Sequence, residues 1–353
     1  MQLWQTQLAP MRTRRVVAGD TLRRAGGALA WFAAVAVVVA VAVAAPLSFA
    51  DDAPAVPALP SGWGLITLPG TQPGREVQLL TRGALRAPAR YRVVVVPGSG
   101  CTGFAPFAAA YFAGLPHAEV QVLHKPGVSV RAGPSPGTCP PAFTADDALS
   151  RWQADAQAAL RALYGAQIQP ALATLLLGIS EGGELLPGLA PQVDGLIGLV
   201  LLSSPGIDPR ESGALQAQRL GPTPLLDWQR LERAAATPVL PDAWQVQGRS
   251  LRYWRDLFGW QVQHALLAAH WPLLQVWGDA DGAIPTAAYT AFATAAAKRR
   301  AGPFCSWRMA GADHGLSLPD GTSGRDALWA RLESWGTERQ MPACPAESAA
   351  GAP

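Results

Sequence analysis

The stretch Ala171-Leu-Ala-Thr-Leu-Leu-Leu177 runs without a break into Gly178-Ile-Ser180-Glu-Gly182-Gly183. No other feature of the chain constrains its fold as strongly. A continuous apolar run is what a central parallel strand requires, because helices cover both of its faces. The Gly-x-Ser-x-Gly that follows needs small residues around the serine, since the backbone must reverse sharply where strand gives way to helix. Such a turn holds the serine in a sparsely populated backbone region. Its hydroxyl is then left at the top of the sheet, beside the N-terminus of the next helix, whose first turn is expected over residues 184–189. A neutral serine hydroxyl is a poor nucleophile, so a base, and an acid to orient it, must be supplied from elsewhere in the chain.

The remaining elements provide the companions such a strand needs. Residues 64–68, 77–81, 91–97, 118–124, 196–202, 273–277 and 306–309 read as strands, the third and fourth halted by Pro97-Gly98 and Pro126-Gly127. Residues 104–112, 146–164, 287–298 and 325–335 read as helices, the second from its apolar spacing at Leu149, Trp152, Ala156, Leu160 and Leu163. A loop rich in Pro and Gly spans 132–142. Strands alternating with helices predict an α/β architecture, a doubly wound and mostly parallel sheet. The alternation lapses over about 205–270, where helical stretches carry Trp228, Trp244, Trp254 and Trp260. This segment is expected to be an inserted helical cap. Its tryptophans either line a pocket for an apolar acyl or aryl group or fill the cap's own core.

His314 lies in Gly311-Ala-Asp-His314-Gly315, just after the last strand, where a base would stand. His117, His124, His264 and His270 read as packing or surface histidines. The loop Gly278-Asp279-Ala-Asp281-Gly-Ala-Ile284-Pro285 follows the next-to-last strand and offers Asp279 or Asp281 as the acid, with Asp208 a third candidate. The first two give the chain order Ser, acid, His.

These residues resemble the α/β-hydrolase superfamily, and the resemblance covers roughly 62–340, with the cap matched least. Relatives carry Gly-x-x-Asp-x-x-hydrophobic-Pro in the acid loop, which selects Asp281 over Asp279. They often carry Gly-x-x-His-Gly before the base, as at Gly311–Gly315, and many esterases and peptidases among them show Gly-x-Ser-x-Gly-Gly. The resemblance implies acyl transfer by Ser180, Asp281 and His314. It also implies an oxyanion hole made by the backbone N–H groups of Glu181 and of Ser99, in Val96-Pro-Gly-Ser99-Gly-Cys101. Relatives usually have His-Gly-x in that loop, and Pro97 stands here in place of the His. A carboxylic ester hydrolase acting on a small molecule is expected. An exopeptidase or amidase with a peptide-like substrate, or an acyltransferase, is the alternative with the same residues. A catalytically inactive binding protein of this fold is the alternative of another class. No cofactor or metal is implied.

The chain begins differently. Residues 26–50 carry no charged side chain and are preceded by Arg12, Arg14, Arg15, Arg23 and Arg24. The small-residue pattern Ser48-Phe49-Ala50 follows the apolar run. This is the layout of a secretory signal cleaved after Ala50 or, alternatively, of an uncleaved anchor in the membrane, since the run approaches the roughly 20 apolar residues that span a bilayer. Residues 51–61 read as a linker and 341–353 as a C-terminal tail. The formal net charge of +3 belongs to the leader: without residues 1–50, 23 basic and 24 acidic side chains remain, so the body shows no nucleic-acid surface. Export, to the periplasm or the medium, suits the cysteines. Cys101, Cys139, Cys305 and Cys344 lack metal-site spacing and are expected to pair with their sequence neighbours, Cys101 with Cys139 and Cys305 with Cys344.

Overall fold

The computed structural model of the chain describes residues 58–133, 139–165 and 171–345. The expected signal segment, most of the linker and the end of the tail lie outside them. Among the described residues no helix is long and apolar enough to cross a membrane.

The N-terminal strands β1 (Trp63–Pro69) and β2 (Glu76–Arg82) form an antiparallel pair. From β3 (Tyr91–Val96) onward the chain winds in parallel. Helix α1 (Ala105–Tyr111) leads to β4 (Ala118–Leu123), and α2 (Pro141–Asp146) and α3 (Leu149–Gly165) lead to β5 (Ala173–Ile179). The serine turn and α4 (Leu186–Leu189) precede β6 (Leu196–Leu202). After β6 come α5 (Pro209–Leu220), α6 (Pro222–Ala235), a small hairpin of β7 (Gln245–Val246) and β8 (Arg249–Ser250), α7 (Leu251–Gly259) and α8 (Gln263–Ala268). Then β9 (Leu273–Gly278), α9 (Thr286–Ala296), β10 (Phe304–Met309) and α10 (Gly324–Glu338) complete the alternation. The eight-stranded sheet has the order β1-β2-β4-β3-β5-β6-β9-β10.

Alternation along each strand divides the core between the two faces. Val93 and Val95 pack with Leu175 and Leu177 under α1 and α10, whose Leu328, Trp329 and Trp335 are buried there. Val94 and Val96 pack with Leu176 and Leu199 under α3, α4 and α9. Both faces are covered, which is why β3 has no exposed residue. The register aligns Val96 with Gly178, Gly178 with Leu201, Leu202 with Val276 and Gly278 with Met309. The carboxyl ends of β3, β5, β6, β9 and β10 therefore share one rim, where open α/β sheets place their sites.

Three local expectations change. The helix expected over 146–164 is broken at Asp147, which adopts an extended conformation and separates α2 from α3. Its carboxylate is buried and held by two cations described below, a tertiary demand stronger than helix propensity. The loop of 132–142 gives its last two residues to α2. After the serine there is no regular α-helix at first: Ser180–Leu185 is a 3₁₀ helix and α4 is a single turn. Gly182, Gly183, Pro187 and Gly188 are poor helix formers, so the expected helix dipole has little length to act through.

Cys101 is bonded to Cys139, and Cys305 to Cys344. The first bond joins the loop after β3 to the segment before α2; the second joins β10 to the chain beyond α10. Two disulfides fit an oxidising, exported environment.

Candidate active site

Ser180 has φ +52°, a left-handed conformation that a non-glycine residue adopts only when its surroundings enforce it. Close packing enforces it here. A Cβ at Gly178 would lie 2.5 Å from Gly183 Cα, and one at Gly182 would lie 2.0 Å from Val96 O, so the turn is pressed against the end of β3. Only glycine fits at either position.

The turns after β9 and β10 meet this serine. His314 Nδ1 lies 2.7 Å from Asp281 Oδ2, and His314 Nε2 lies 3.2 Å from Ser180 Oγ. A carboxylate on the Nδ1 side demands N–H there, so Nε2 is the free acceptor and the Ser180 hydroxyl donates to it. Asp281 is itself fixed: Oδ1 accepts from the N–H groups of Ala283 and Ile284, and Oδ2 accepts from the Tyr289 hydroxyl at 2.7 Å. Burial alone would raise the Asp281 carboxyl, but the hydrogen bond and charge of His314, together with Tyr289 and the Ile284 N–H, outweigh it and hold the group below its ordinary range. The other acids are engaged elsewhere. Asp279 accepts from Gly311 N–H and pairs with Arg308, and Asp208 accepts from the N–H groups of Val262 and Gln263.

Ser203 and Tyr289 support this arrangement and were not singled out from the sequence. Ser203 follows β6 with φ +50°, and its hydroxyl donates to the carbonyl of His314 at 2.7 Å. A serine after an apolar strand and a tyrosine in a helix carry no signal of such a role. Tyr289→Phe removes a hydrogen bond to a charged group and is expected to cost about 1–3 kcal/mol of stability at neutral pH, read by urea unfolding. Because Asp281 titrates below its unfolded value, this advantage of the wild type is complete above the ordinary carboxylate range and is lost as the pH falls through the lower folded value. A penalty that persisted unchanged at acidic pH would contradict it.

Of the other histidines, His124 is buried and its pKa pushed down to about 4 by desolvation. Its Nε2 accepts from Phe104 N–H. His117 pairs with Glu333. Neither hydrogen-bonds to Ser180, Asp281 or His314. Among the described residues no three His, Cys, Asp or Glu side chains converge on a point that could hold a metal ion.

Behind the serine lies a buried charged network with no counterpart in the sequence analysis. Lys125 Nζ stands 2.5 Å from Glu181 Oε1 and 3.0 Å from Asp147 Oδ1. The Tyr253 hydroxyl donates to Glu181 and the Arg249 guanidinium pairs with Asp147, both from the segment between β6 and β9. Lys125 also sits 4.5 Å over the Trp152 ring. Burial would push the Glu181 carboxyl up, but the charges of Lys125 and Arg249 hold it ionised and below its usual range. Glu181, considered above only for its backbone N–H, is thus gripped by its side chain.

A cavity of about 450 Å³ opens between the rim and α5, α6 and α7, and both Ser99 and Ser180 line it. Both readings of the tryptophans apply. Trp228 and Trp254 line the cavity and also pack edge to face with centroids 6.2 Å apart. Trp244 is exposed, and Trp260 donates to Glu184 O at 3.0 Å.

The arrangement defines a class through its fold. The chain is similar to Est1E from Butyrivibrio proteoclasticus (14% identity, TM-score 0.51, covering 78% of this chain and 98% of that one). It is similar also to the thermophilic esterase Est2 from Thermogutta terrifontis (18%, 0.50, 81% and 96%). A third likeness is to the Pyrobaculum calidifontis esterase (14%, 0.51, 80% and 87%). The chain has the α/β-hydrolase fold. No protein-family model and no curated protein matches it.

Proposed function

We propose that this chain is a serine hydrolase that cleaves carboxylic esters through an acyl-enzyme on Ser180. The observation that carries the reading is the continuous contact from Asp281 through His314 to Ser180, assembled from three turns at one rim. As Ser180 Oγ bonds to the ester carbonyl carbon, its proton passes to His314 Nε2, and Asp281 stabilises the imidazolium. The carbonyl oxygen takes up the electron pair and is held by the backbone N–H groups of Ser99 and Glu181. Collapse expels the alkoxide, which leaves with the proton from Nε2. Water then repeats the sequence on the acyl group and releases the carboxylic acid. We place the protein outside the cytoplasm, in the periplasm or secreted, on the strength of the leader's composition and the two disulfides.

A fluorophosphonate probe tests the nucleophile. Wild type should label and Ser180→Ala should not; equal labelling of both would remove the assignment. p-Nitrophenyl esters of graded chain length, run beside aminoacyl p-nitroanilides, test the preference for ester over amide, which a faster anilide reaction would reverse.

A further inference from the structure

The two backbone donors assigned to the oxyanion hole are held in different ways. Glu181 is fixed through its side chain to Lys125 and Tyr253. Ser99 lies in the stretch Pro97-Gly98-Ser99-Gly100-Cys101-Thr102, between the end of β3 and Gly103, whose N–H donates to Ala132 O. Among the described residues, no backbone hydrogen bond engages any residue from Gly98 to Thr102. Gly100 has φ +92°, and nothing stands within 4 Å of the place its Cβ would take, so packing does not restrain the backbone there. Yet the loop lies against the nucleophile: a Cβ at Gly98 would be 3.3 Å from Ser180 Cβ. The covalent tie in this stretch is the bond from Cys101 to Cys139, two residues beyond Ser99. Both half-cystines line the cavity together with Ser99 and Ser180.

Cys139 leads through Pro140 and Pro141 into α2, and the proline rings fix φ at both, so this connection has little slack. At its other end α2 runs into Asp147, whose carboxylate is paired with Lys125 at 3.0 Å and with Arg249. The same Lys125 Nζ lies 2.5 Å from Glu181 Oε1. One short helix is therefore joined to the Ser99 loop by a covalent bond and to Glu181 by a buried cation. We propose that the Cys101–Cys139 disulfide is a positioning element for ester cleavage: it holds the Ser99 N–H at its working distance from the Glu181 N–H, with α2 as the strut between them. The proposal rests on the ester hydrolase reading. An oxyanion donor contributes most when its place is fixed before the charge develops, because no reorganisation is then needed at the moment of reaction. The other disulfide supplies a matched control. The two bridges join residues 38 and 39 positions apart, so chain entropy makes their contributions to stability similar. Neither Cys305 nor Cys344 borders the cavity.

The test uses the full chain as wild type, Cys101→Ala/Cys139→Ala and Cys305→Ala/Cys344→Ala, with a p-nitrophenyl ester as substrate and an alkyl trifluoromethyl ketone as inhibitor. Ser180 Oγ bonds to the ketone's carbonyl carbon, the carbonyl oxygen takes the negative charge and His314 takes the proton, so the inhibition constant reports the oxyanion hole. Cys101→Ala/Cys139→Ala should lower kcat by about 10- to 100-fold, part of what losing one donor outright costs, and leave KM within about 3-fold. Ketone binding should weaken by the factor that kcat/KM loses. Cys305→Ala/Cys344→Ala should keep all three constants within about 3-fold while its urea midpoint falls as far as that of the first variant. An unchanged kcat in the first variant, or equal catalytic losses in both, overturns the proposal. Should the first variant not fold, the bridge is opened in protein already folded. Cys305→Ala/Cys344→Ala is treated with tris(2-carboxyethyl)phosphine, which takes the oxygen of a water molecule as the S–S bond becomes two thiols. With the reductant removed, kcat should fall by the same factor and recover when oxidised glutathione restores the bond; an undiminished kcat overturns the proposal. A wild type that neither cleaves esters nor binds the ketone removes the ester reading and this proposal with it, whereas an active wild type indifferent to the bridge removes this proposal alone.

Discussion

His314→Ala is expected to lower kcat/KM for a p-nitrophenyl ester by about 10³- to 10⁶-fold, and adding Ser180→Ala should lower it no further. The expectation follows from the 3.2 Å contact between Nε2 and Oγ: without an acceptor the hydroxyl keeps its proton, and without the hydroxyl the acceptor has nothing to take. The two act as one unit, so their losses do not add. Asp281→Asn should fall between wild type and His314→Ala, because the amide can present its N–H to Nδ1 and stabilise the wrong tautomer. The fold should survive each change. Additive losses in the double variant, or residual turnover in His314→Ala within 10-fold of wild type, would show that the base is elsewhere.

Lys125→Met is expected to destabilise the protein by about 3–5 kcal/mol, the usual cost of removing one partner from a buried ion pair. Lys125 and the acids it serves are almost fully buried, with side-chain exposures of 4% for Lys125, 7% for Glu181 and 2% for Asp147, so water cannot replace the lost cation. Glu181 would keep the Tyr253 hydroxyl as its hydrogen-bond partner and share the charge of Arg249 with Asp147. Adding Glu181→Gln removes the stranded charge and should restore about half of the loss. Urea midpoints of the single and double variants measure both effects. A cost for Lys125→Met below about 1 kcal/mol, or no recovery in the double variant, would mean that the network contributes little to the fold.

The comparison between sequence and structure divides along the range over which each signal acts. The serine turn was legible because its signal is local: strand, glycines and serine are contiguous, although the demand for glycine at 182 comes from Val96 on another strand. Asp281 was separable from Asp279 only through the family resemblance, since both follow β9 by a few residues and either could face the histidine. The geometry shows why two residues matter. Asp279 turns back to cap Gly311, whereas Asp281 folds under its own loop against Tyr289. The charged network was illegible for the opposite reason. Lys125 meets residues 22 and 56 positions away and Asp147 meets one 102 positions away, so no periodicity records the contacts. A lysine before Pro126-Gly127 reads as a solvated turn residue. The same contacts explain the misplaced helix boundary at Asp147. The 3₁₀ stretch after Ser180 has a local cause, its own glycines and the proline just beyond it, which the pattern of the serine turn overrode.

The attachment of Tyr253 and Arg249 to Glu181 and Asp147 bears on how a substrate arrives. A roof that swings on hinges must let go of its floor, and this one is riveted there by a charge pair at Asp147 and a hydroxyl on Glu181, the residue next to Ser180. Lifting it would strip Arg249 from the submerged Asp147 and the Tyr253 hydroxyl from the submerged Glu181 each cycle. For the reaction proposed above, the chamber is therefore expected to act as a fixed mould, discriminating among small guests by shape and lining and not by a closing jaw.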